Sequence, residues 1–166
     1  MRTVSRAARA ALGLAVAAAA LWWWWPDEAR QIRGRLSELA RLASSPASGG
    51  LDAAMRAARL ASFFTPDVVV ETAPGDPPIR GRERLLALAT RAPDADYELE
   101  LVDVDVTVGA DRSFALAHLT AKLTARRGGE PWIDARELEV ELRPDGSSGE
   151  WVISRVTAVP PLERPR

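Results

Sequence analysis

The chain has 166 residues, a formal net charge of -1, one histidine and no cysteine, which fits one ordinary domain behind a short leading segment. Without cysteine there are no disulfides, cysteine zinc sites or thiolate nucleophiles in the chain, and histidine chemistry depends on His118 alone. From residue 27 onward, 19 basic residues are scattered among 23 acidic ones. We therefore expect no nucleic-acid partner, and nothing in the pattern predicts a metal or another cofactor.

The first 26 residues have the pattern of a membrane segment. Residues 10–25 form an uncharged run of 16 residues that follows Arg2, Arg6 and Arg9. As a helix this run would extend about 24 Å, short of the roughly 30 Å hydrocarbon core of a bilayer, so arginines that snorkel to the interface would help it to span. The arginines predict a cytoplasmic N-terminus and an extracytoplasmic domain, which would be periplasmic in a cell with two membranes. The tryptophans at the end of the run, which suit a membrane interface, are Trp22, Trp23, Trp24 and Trp25.

A cleavable signal peptide is the alternative interpretation, because Ala18, Ala19 and Ala20 satisfy a small-x-small cleavage rule. In that case the domain would be secreted. The predicted organisation is a signal anchor or signal peptide over 1–26, one domain over 27–159 and a loose tail over 160–166.

Downstream, the spacing of apolar residues predicts helices first and a sheet afterwards. The predicted helices span 27–43, 51–62 and 82–89, and the predicted strands span 67–72, 97–108, 113–126, 132–143 and 151–159. Within 97–108 the alternation changes phase at Leu101 and Val102, which predicts a bulge that would help the sheet to curl. The order is helix, helix, strand, helix and then four antiparallel strands, an α+β arrangement.

Three short stretches in this order carry a resemblance to a known superfamily. They are the run Phe63 to Val70, the helix start Gly81-Arg82-Glu83 and the closing strand that begins Trp151-Val152-Ile153. Residues 27–159 resemble the nuclear transport factor 2-like superfamily, which includes SnoaL-like cyclases and ketosteroid isomerases. The resemblance implies a cone-shaped roll in which a strongly curved, mostly antiparallel sheet wraps around three helices. It also implies a pocket at the open end and, often, dimers formed through the outer face of the sheet.

The residues that perform catalysis in ketosteroid isomerases are mostly missing here. Their general-base aspartate ends the first strand, where this chain has Thr72, and strand alternation points the adjacent Glu71 to the other face. The only tyrosine, Tyr97, lies on a strand rather than on the first helix. Asp134 alone resembles the position of the family's protonated carboxylic acid. This isomerase activity is therefore not predicted, and whether the chain is an enzyme of another kind stays open, with a non-catalytic role favoured.

Alternation predicts which polar side chains face the inside of the cone. Asp134 and Arg136 share the apolar face of their strand, and Arg155 shares a face with the apolar residues of the last strand. The predicted ligand pocket consists of Phe64, Thr72, Trp132, Asp134, Arg136, Trp151 and Arg155. Arg136 or Arg155 would suit a ligand carboxylate, and the alternative is an Asp-Arg pair that neutralises itself at the pocket rim. Asp134 and His118 are the only catalytic candidates, although His118 also fits a surface or dimer-face position.

Three functions are consistent with these features. The first is a membrane-tethered, non-catalytic accessory, assembly or binding module whose partner is an envelope protein or a second copy. In architecture it resembles the single-span assembly subunits of type IV secretion systems and Mce-associated membrane proteins. The second is a binding or carrier protein for a small apolar or carboxylate ligand. The third is a SnoaL-like isomerase, cyclase or hydrolase that uses Asp134 or His118.

Overall fold

The structure is a computed structural model that describes residues 28–44, 50–73, 75–91, 97–127 and 130–160. The helices in these ranges are α1 (Glu28–Ser44), α2 (Gly50–Ala61) and α3 (Arg82–Arg91). The strands are β1 (Phe64–Glu71), β2 (Ile79–Arg80), β3 (Tyr97–Val108), β4 (Ala115–Arg127), β5 (Glu130–Pro144) and β6 (Trp151–Ala158). The predicted α+β order is confirmed, and β2, only two residues long, is the described element that hydropathy did not predict.

The predicted membrane segment lies outside the described residues. Among the helices that are described, none combines the length and the apolar character needed to cross a membrane.

The strands form one curved six-stranded sheet in the order β2-β1-β6-β5-β4-β3. Every neighbouring pair is antiparallel except β1 and β6, which are parallel. Gly81 makes the turn between β2 and α3, with a φ of 86° that glycine adopts without strain, and its N–H donates to the Val68 carbonyl at 2.8 Å. This bond holds α3 against the middle of β1.

The core lies between α1 and the concave face of the sheet. Ile32 and Leu36 recur at helical spacing on α1 and are at most 3% exposed, and Ala40 continues the same face. They pack on buried strand residues, which include Val68, Val106, Ala117, Val140, Leu142 and Ile153. Full burial of an isoleucine or leucine side chain is worth about 1.5–3 kcal/mol, so this face of α1 fixes the helix on the sheet.

The two ends of the sheet differ in their connections. Tight turns at residues 109–114 and 145–150 join β3 to β4 and β5 to β6 at one end, which is termed the hairpin end. The opposite end, where Thr72, Trp132 and Tyr97 lie, is termed the mouth end.

Helix α1 runs from the hairpin end to the mouth end. At its start, Glu28 Oε1 lies 3.3 Å from Arg112 Nη1 in the β3–β4 turn. At its end, the Leu99 N–H donates to Ser44 Oγ at 2.8 Å. The chain therefore enters the domain at the hairpin end.

The described part of the sheet has three register shifts: one in β1 between Phe64 and Val69, and one each in β3 and β6, which change which side chains face inward. In β3, pairing with β4 shifts between Val102 and Asp105, and Asp103 has a left-handed φ of 53°. The predicted bulge exists but lies just beyond Leu101 and Val102, at a residue type that tolerates this conformation. In β6, pairing with β5 shifts after Ile153, so that Ser154 is an extra residue.

Candidate functional site

At the mouth end, β5 brings an aspartate and an arginine of the predicted pocket together. Arg136 Nε donates to Asp134 Oδ2 at 2.9 Å, and Arg136 Nη1 donates to the Thr72 carbonyl at 2.7 Å. Arg136 thus connects β5 with the end of β1. The side chains of Asp134 and Arg136 are 30% and 52% exposed, so the pair lies at a solvated rim. The positive charge of Arg136 therefore balances the negative charge of the Asp134 carboxylate.

The aromatic residues of the predicted pocket are divided between the two ends. Trp132 lies on the same strand as the ion pair and is 44% exposed. Trp151 is 6% exposed and belongs to the core at the hairpin end. Phe64 pairs with Ile153 and packs against the core at that same end. The structure therefore brings Thr72, Asp134 and Arg136 together and places Phe64 and Trp151 at the far end of the sheet.

Arg155 has a different orientation from the one that alternation predicted. Because Ser154 is an extra residue in β6, Arg155 pairs with Glu141, while Val156 takes the inward position opposite Val140. Arg155 Nη1 lies 3.3 Å from Glu71 Oε1, and its Nε lies 3.4 Å from Glu141 Oε1. Arg155 is part of an ion-pair cluster on the outer face, so the prediction that it shares a face with Trp151 is wrong.

His118 lies on the outer face of the sheet. It pairs with Asp105 of β3 and Glu139 of β5, its side chain is 55% exposed, and its Nε2 is 3.8 Å from Glu139 Oε2. Its neighbours Ala117 and Leu119 point into the core. Asp134 faces the inside of the roll, so the two predicted catalytic candidates are on opposite faces of the sheet and cannot act on one substrate atom.

A groove of about 570 Å³ at the hairpin end is the larger of two described surface depressions. It is lined by residues of the α2–β1 junction, α3 and the β5–β6 turn: Ser62, Phe64, Thr65, Pro66, Arg82, Arg143, Pro144, Asp145, Gly146, Ser147, Ser148, Glu150 and Val152. A second, of about 250 Å³, is lined by Pro66 and residues 80–84. Apart from Phe64, no residue of the predicted pocket lines either depression.

The charged groups of the larger groove are bound to groups of the protein itself. Arg82 Nη1 donates to the Phe64 carbonyl at 3.3 Å, and Arg143 Nη2 donates to Asp67 Oδ1 at 2.6 Å. Hydrogen bonds from Ser147 and Ser148 to the carboxylate lower the pKa of Asp145. These contacts explain the shape of the turn, which lies between the predicted strands 132–143 and 151–159.

The carboxyl pKa of Asp67 is also lowered, first by the neighbouring Thr65 hydroxyl and further by Arg143. Thr65 is 3% exposed, and its Oγ1 makes no hydrogen bond of good geometry with a described residue. Its effect on Asp67 is therefore that of a nearby dipole, whereas the bond from Arg143 is fully formed. The described residues contain no cluster of three or more histidine or acidic side chains that would hold a metal ion.

The curved sheet wrapped around its helices has the cone-shaped fold of the nuclear transport factor 2-like class. Within that class, the pattern of the SnoaL-like domain family matches residues 52–146, which is more than half of the chain. The chain belongs to this family, and the resemblance read from its sequence is confirmed. No curated protein matches the chain significantly in sequence.

Solved structures agree on the fold at low sequence identity. An NTF2-like protein with a cystatin-like fold from Novosphingobium aromaticivorans is 15% identical, with a TM-score of 0.63 over 95% of this chain and 90% of that one. A protein from Catenulispora acidiphila is 16% identical, with a TM-score of 0.62 over 86% and 93% of the two chains. A third, from N. aromaticivorans and provisionally described as a scytalone dehydratase, is 14% identical, with a TM-score of 0.62 over 78% and 80%. These likenesses establish the fold alone.

Proposed function

We propose that this SnoaL-like domain is tethered to a membrane by residues 1–26, lies on the extracytoplasmic side and serves as a non-catalytic accessory, assembly or binding module. The tether is supported by the sequence of the leading segment, in which three arginines precede an uncharged run that ends in four tryptophans. As a helix the run is shorter than the hydrocarbon layer, so a single crossing relies on the preceding arginines snorkelling to one interface and the tryptophans lying at the other.

The observation that carries the non-catalytic part is the arrangement of the two catalytic candidates. Asp134 is bonded to Arg136, which is bonded in turn to the Thr72 carbonyl. His118 lies on the other face of the sheet, 3.8 Å from Glu139. A general acid or base must lie within hydrogen-bond reach of the substrate proton that it transfers. An aspartate that is neutralised by a partner and a histidine turned to the outer face instead suit a scaffold.

The mass of the native complex tests this role. Full-length protein with a C-terminal tag would be extracted from its own membrane in mild detergent, and its mass would be compared with that of a monomer and a homodimer. A defined heteromeric complex is expected, and its other subunit would be identified and re-bound as purified protein. Recovery of only monomer or homodimer would contradict the assembly role. The intact mass of the recovered chain also shows whether residues 1–20 have been removed by signal cleavage.

A second candidate function is binding of a small carboxylate ligand, which the exposed Arg136 guanidinium at the mouth favours. Arg143 provides a matched control, because it is similarly exposed and also paired with an aspartate, but it lines the hairpin-end groove. A panel of aromatic and aliphatic carboxylates would be screened by calorimetry. Any binding lost only in Arg136→Ala would assign the ligand to the mouth. Binding lost only in Arg143→Ala would assign it to the groove, and binding that survives both would remove this candidate.

A SnoaL-like isomerase, cyclase or hydrolase that uses Asp134 or His118 is the third possibility. The dehydratase description of one structural relative favours it, although the two chains are only 14% identical. Turnover of a carbonyl substrate that is abolished by Asp134→Asn would establish this function in place of the first.

A further inference from the structure

The place where the chain enters the domain determines which end of the domain lies near the membrane. Trp25 precedes Glu28 by three residues, and three residues span at most about 11 Å. Glu28 begins α1, and its carboxylate contacts Arg112 in the β3–β4 turn. With Trp25 at the membrane interface, as the proposed tether requires, this link of about 11 Å keeps Glu28, and the β3–β4 turn that it contacts, near the same interface.

The β3–β4 turn has a fixed shape. The Gly109 N–H donates to the Phe114 carbonyl at 2.9 Å, and the Arg112 N–H donates to the Gly109 carbonyl at 2.9 Å. Asp111 accepts hydrogen bonds from the N–H and the hydroxyl of Ser113 at 3.1 and 2.7 Å, and these bonds lower the pKa of its carboxyl. A turn with these internal bonds loses little conformational entropy when it contacts a surface.

This turn presents an aromatic side chain to the outside. Phe114 is 56% exposed, and its ring lies over Gly109 so closely that a Cβ added there would be 2.6 Å from a ring carbon. One side of the ring is therefore held by the backbone of the turn, and the other side is free. A single exposed phenylalanine is ordinary on a protein surface. Phe114, however, lies in the turn that contacts Glu28, where the predicted anchor joins the domain, so it is placed to contact the membrane.

We propose that the β3–β4 turn, residues 109–114, rests on the lipid surface, with Phe114 inserted among the headgroups and Arg112 beside their phosphates. This inference rests on the proposed tether and goes beyond it by fixing the orientation of the domain. Because α1 runs from this turn to Leu99, the mouth end points away from the membrane. The rim formed by Asp134 and Arg136 then faces the compartment, where a soluble ligand or a partner can reach it.

Site-specific labelling tests the orientation, and the cysteine-free chain allows a single cysteine at any position. Full-length protein with Phe114→Cys or Ala110→Cys would carry an environment-sensitive fluorophore and be reconstituted into phosphatidylcholine vesicles that contain a nitroxide-labelled lipid. Ala110 is exposed in the same turn and does not depend on the packing of Phe114 on Gly109. Ile133→Cys is the matched control, since Ile133 is 59% exposed but lies near the mouth end.

We expect lipid quenching at positions 110 and 114 to be at least about threefold stronger than at position 133, because the short link brings only the turn to the depth of the headgroups. Flotation of the labelled protein with the vesicles is recorded in the same sample. Protein that floats but shows equal quenching at all three positions would overturn the orientation while leaving the tether intact. Protein that does not float would overturn both.

Discussion

The two ends of the sheet differ in how far their side chains are buried. At the hairpin end, Phe63, Trp151, Val152 and Ile153 are each at most 7% exposed, and the turns are closed by internal hydrogen bonds. At the mouth end, Trp132 and Ile133 are 44% and 59% exposed, and the inward face carries an ion pair in place of apolar packing.

This difference in burial indicates which side chains stabilise the fold and which are available to bind a ligand or a partner. Apolar burial between α1 and the sheet, which extends to the hairpin end, stabilises the domain more than the exposed Trp132 and Ile133 do, since stabilisation scales with the apolar area removed from water. The exposed side chains at the mouth contribute little to that free energy, so they can be substituted with little loss of stability.

Truncation of a core residue next to the hairpin end should destabilise the protein far more than truncation at the mouth. Leu142→Ala removes a side chain that is 2% exposed, and we expect a loss of about 2–5 kcal/mol in the free energy of unfolding. Ile133→Ala removes a mostly exposed one and should cost less than about 1 kcal/mol. Urea denaturation measures both, and similar losses would show that the two ends do not differ as described.

Arg35 should be the most important single polar residue at the hairpin end. Its Nε donates to the Trp151 carbonyl at 2.7 Å, its Nη2 donates to the Ser62 carbonyl at 3.0 Å, and the guanidinium lies 4.8 Å from the centre of the Phe63 ring. A lysine keeps the charge but cannot make both bonds.

We therefore expect Arg35→Lys to lower the free energy of unfolding by about 1.5–3 kcal/mol. Arg33 on the same helix is exposed and makes one longer bond, of 3.3 Å to the Val104 carbonyl, so Arg33→Lys should cost less than about 1 kcal/mol. Equal costs for the two variants would mean that the bridge from α1 to β6 is not a significant contributor.

The ion pair at the mouth should be energetically weak. A double-mutant cycle with Asp134→Ala and Arg136→Ala should give a coupling free energy of about 0.2–1 kcal/mol, because both side chains are at least 30% exposed and water screens them. A coupling above about 2 kcal/mol would indicate a dry, preorganised site and would favour the ligand-binding or catalytic alternatives.

The smallest expected effect is a pH dependence from the hairpin-end turn. The folded pKa of Asp145 is lowered by hydrogen bonds from Ser147 and Ser148, so its contribution to stability is present above the unfolded value of about 3.9 and is lost as pH falls through the folded pKa. In Asp145→Asn, thermal unfolding should show a slightly shallower decrease in Tm below about pH 4. Asp105→Asn, on the exposed sheet face, is the control. Unchanged acid sensitivity in Asp145→Asn would contradict this assignment.

Except for the two-residue β2, the order of helices and strands could be predicted because each element carries a strong local pattern, such as Ile32, Leu36, Leu39 and Leu42 on α1. The orientation of Arg155 could not be predicted from the sequence. Trp151, Val152 and Ile153 are all buried, so they show no alternation from which the shift in register at Ser154 could be recognised. The contact between Arg136 and the Thr72 carbonyl joins positions 64 residues apart, so it depends on the curvature of the sheet. The hairpin-end groove likewise arises from α3 and two loops that no local pattern brings together.

Residues 1–26 are proposed to tether this domain to a membrane, and alkaline extraction of native membranes distinguishes a tethered domain from a released one. Leu14→Arg places a charge within the uncharged run, whereas Leu51→Arg places the same charge on the domain surface, where Leu51 is 76% exposed. An arginine in the middle of a membrane helix costs about 2.5–3.5 kcal/mol. We predict that the unaltered chain and Leu51→Arg stay in the membrane pellet, and that the pelleted fraction of Leu14→Arg falls severalfold. Release of the unaltered chain into the supernatant, at a mass that shows the leading segment removed, would contradict the tether and establish a secreted domain.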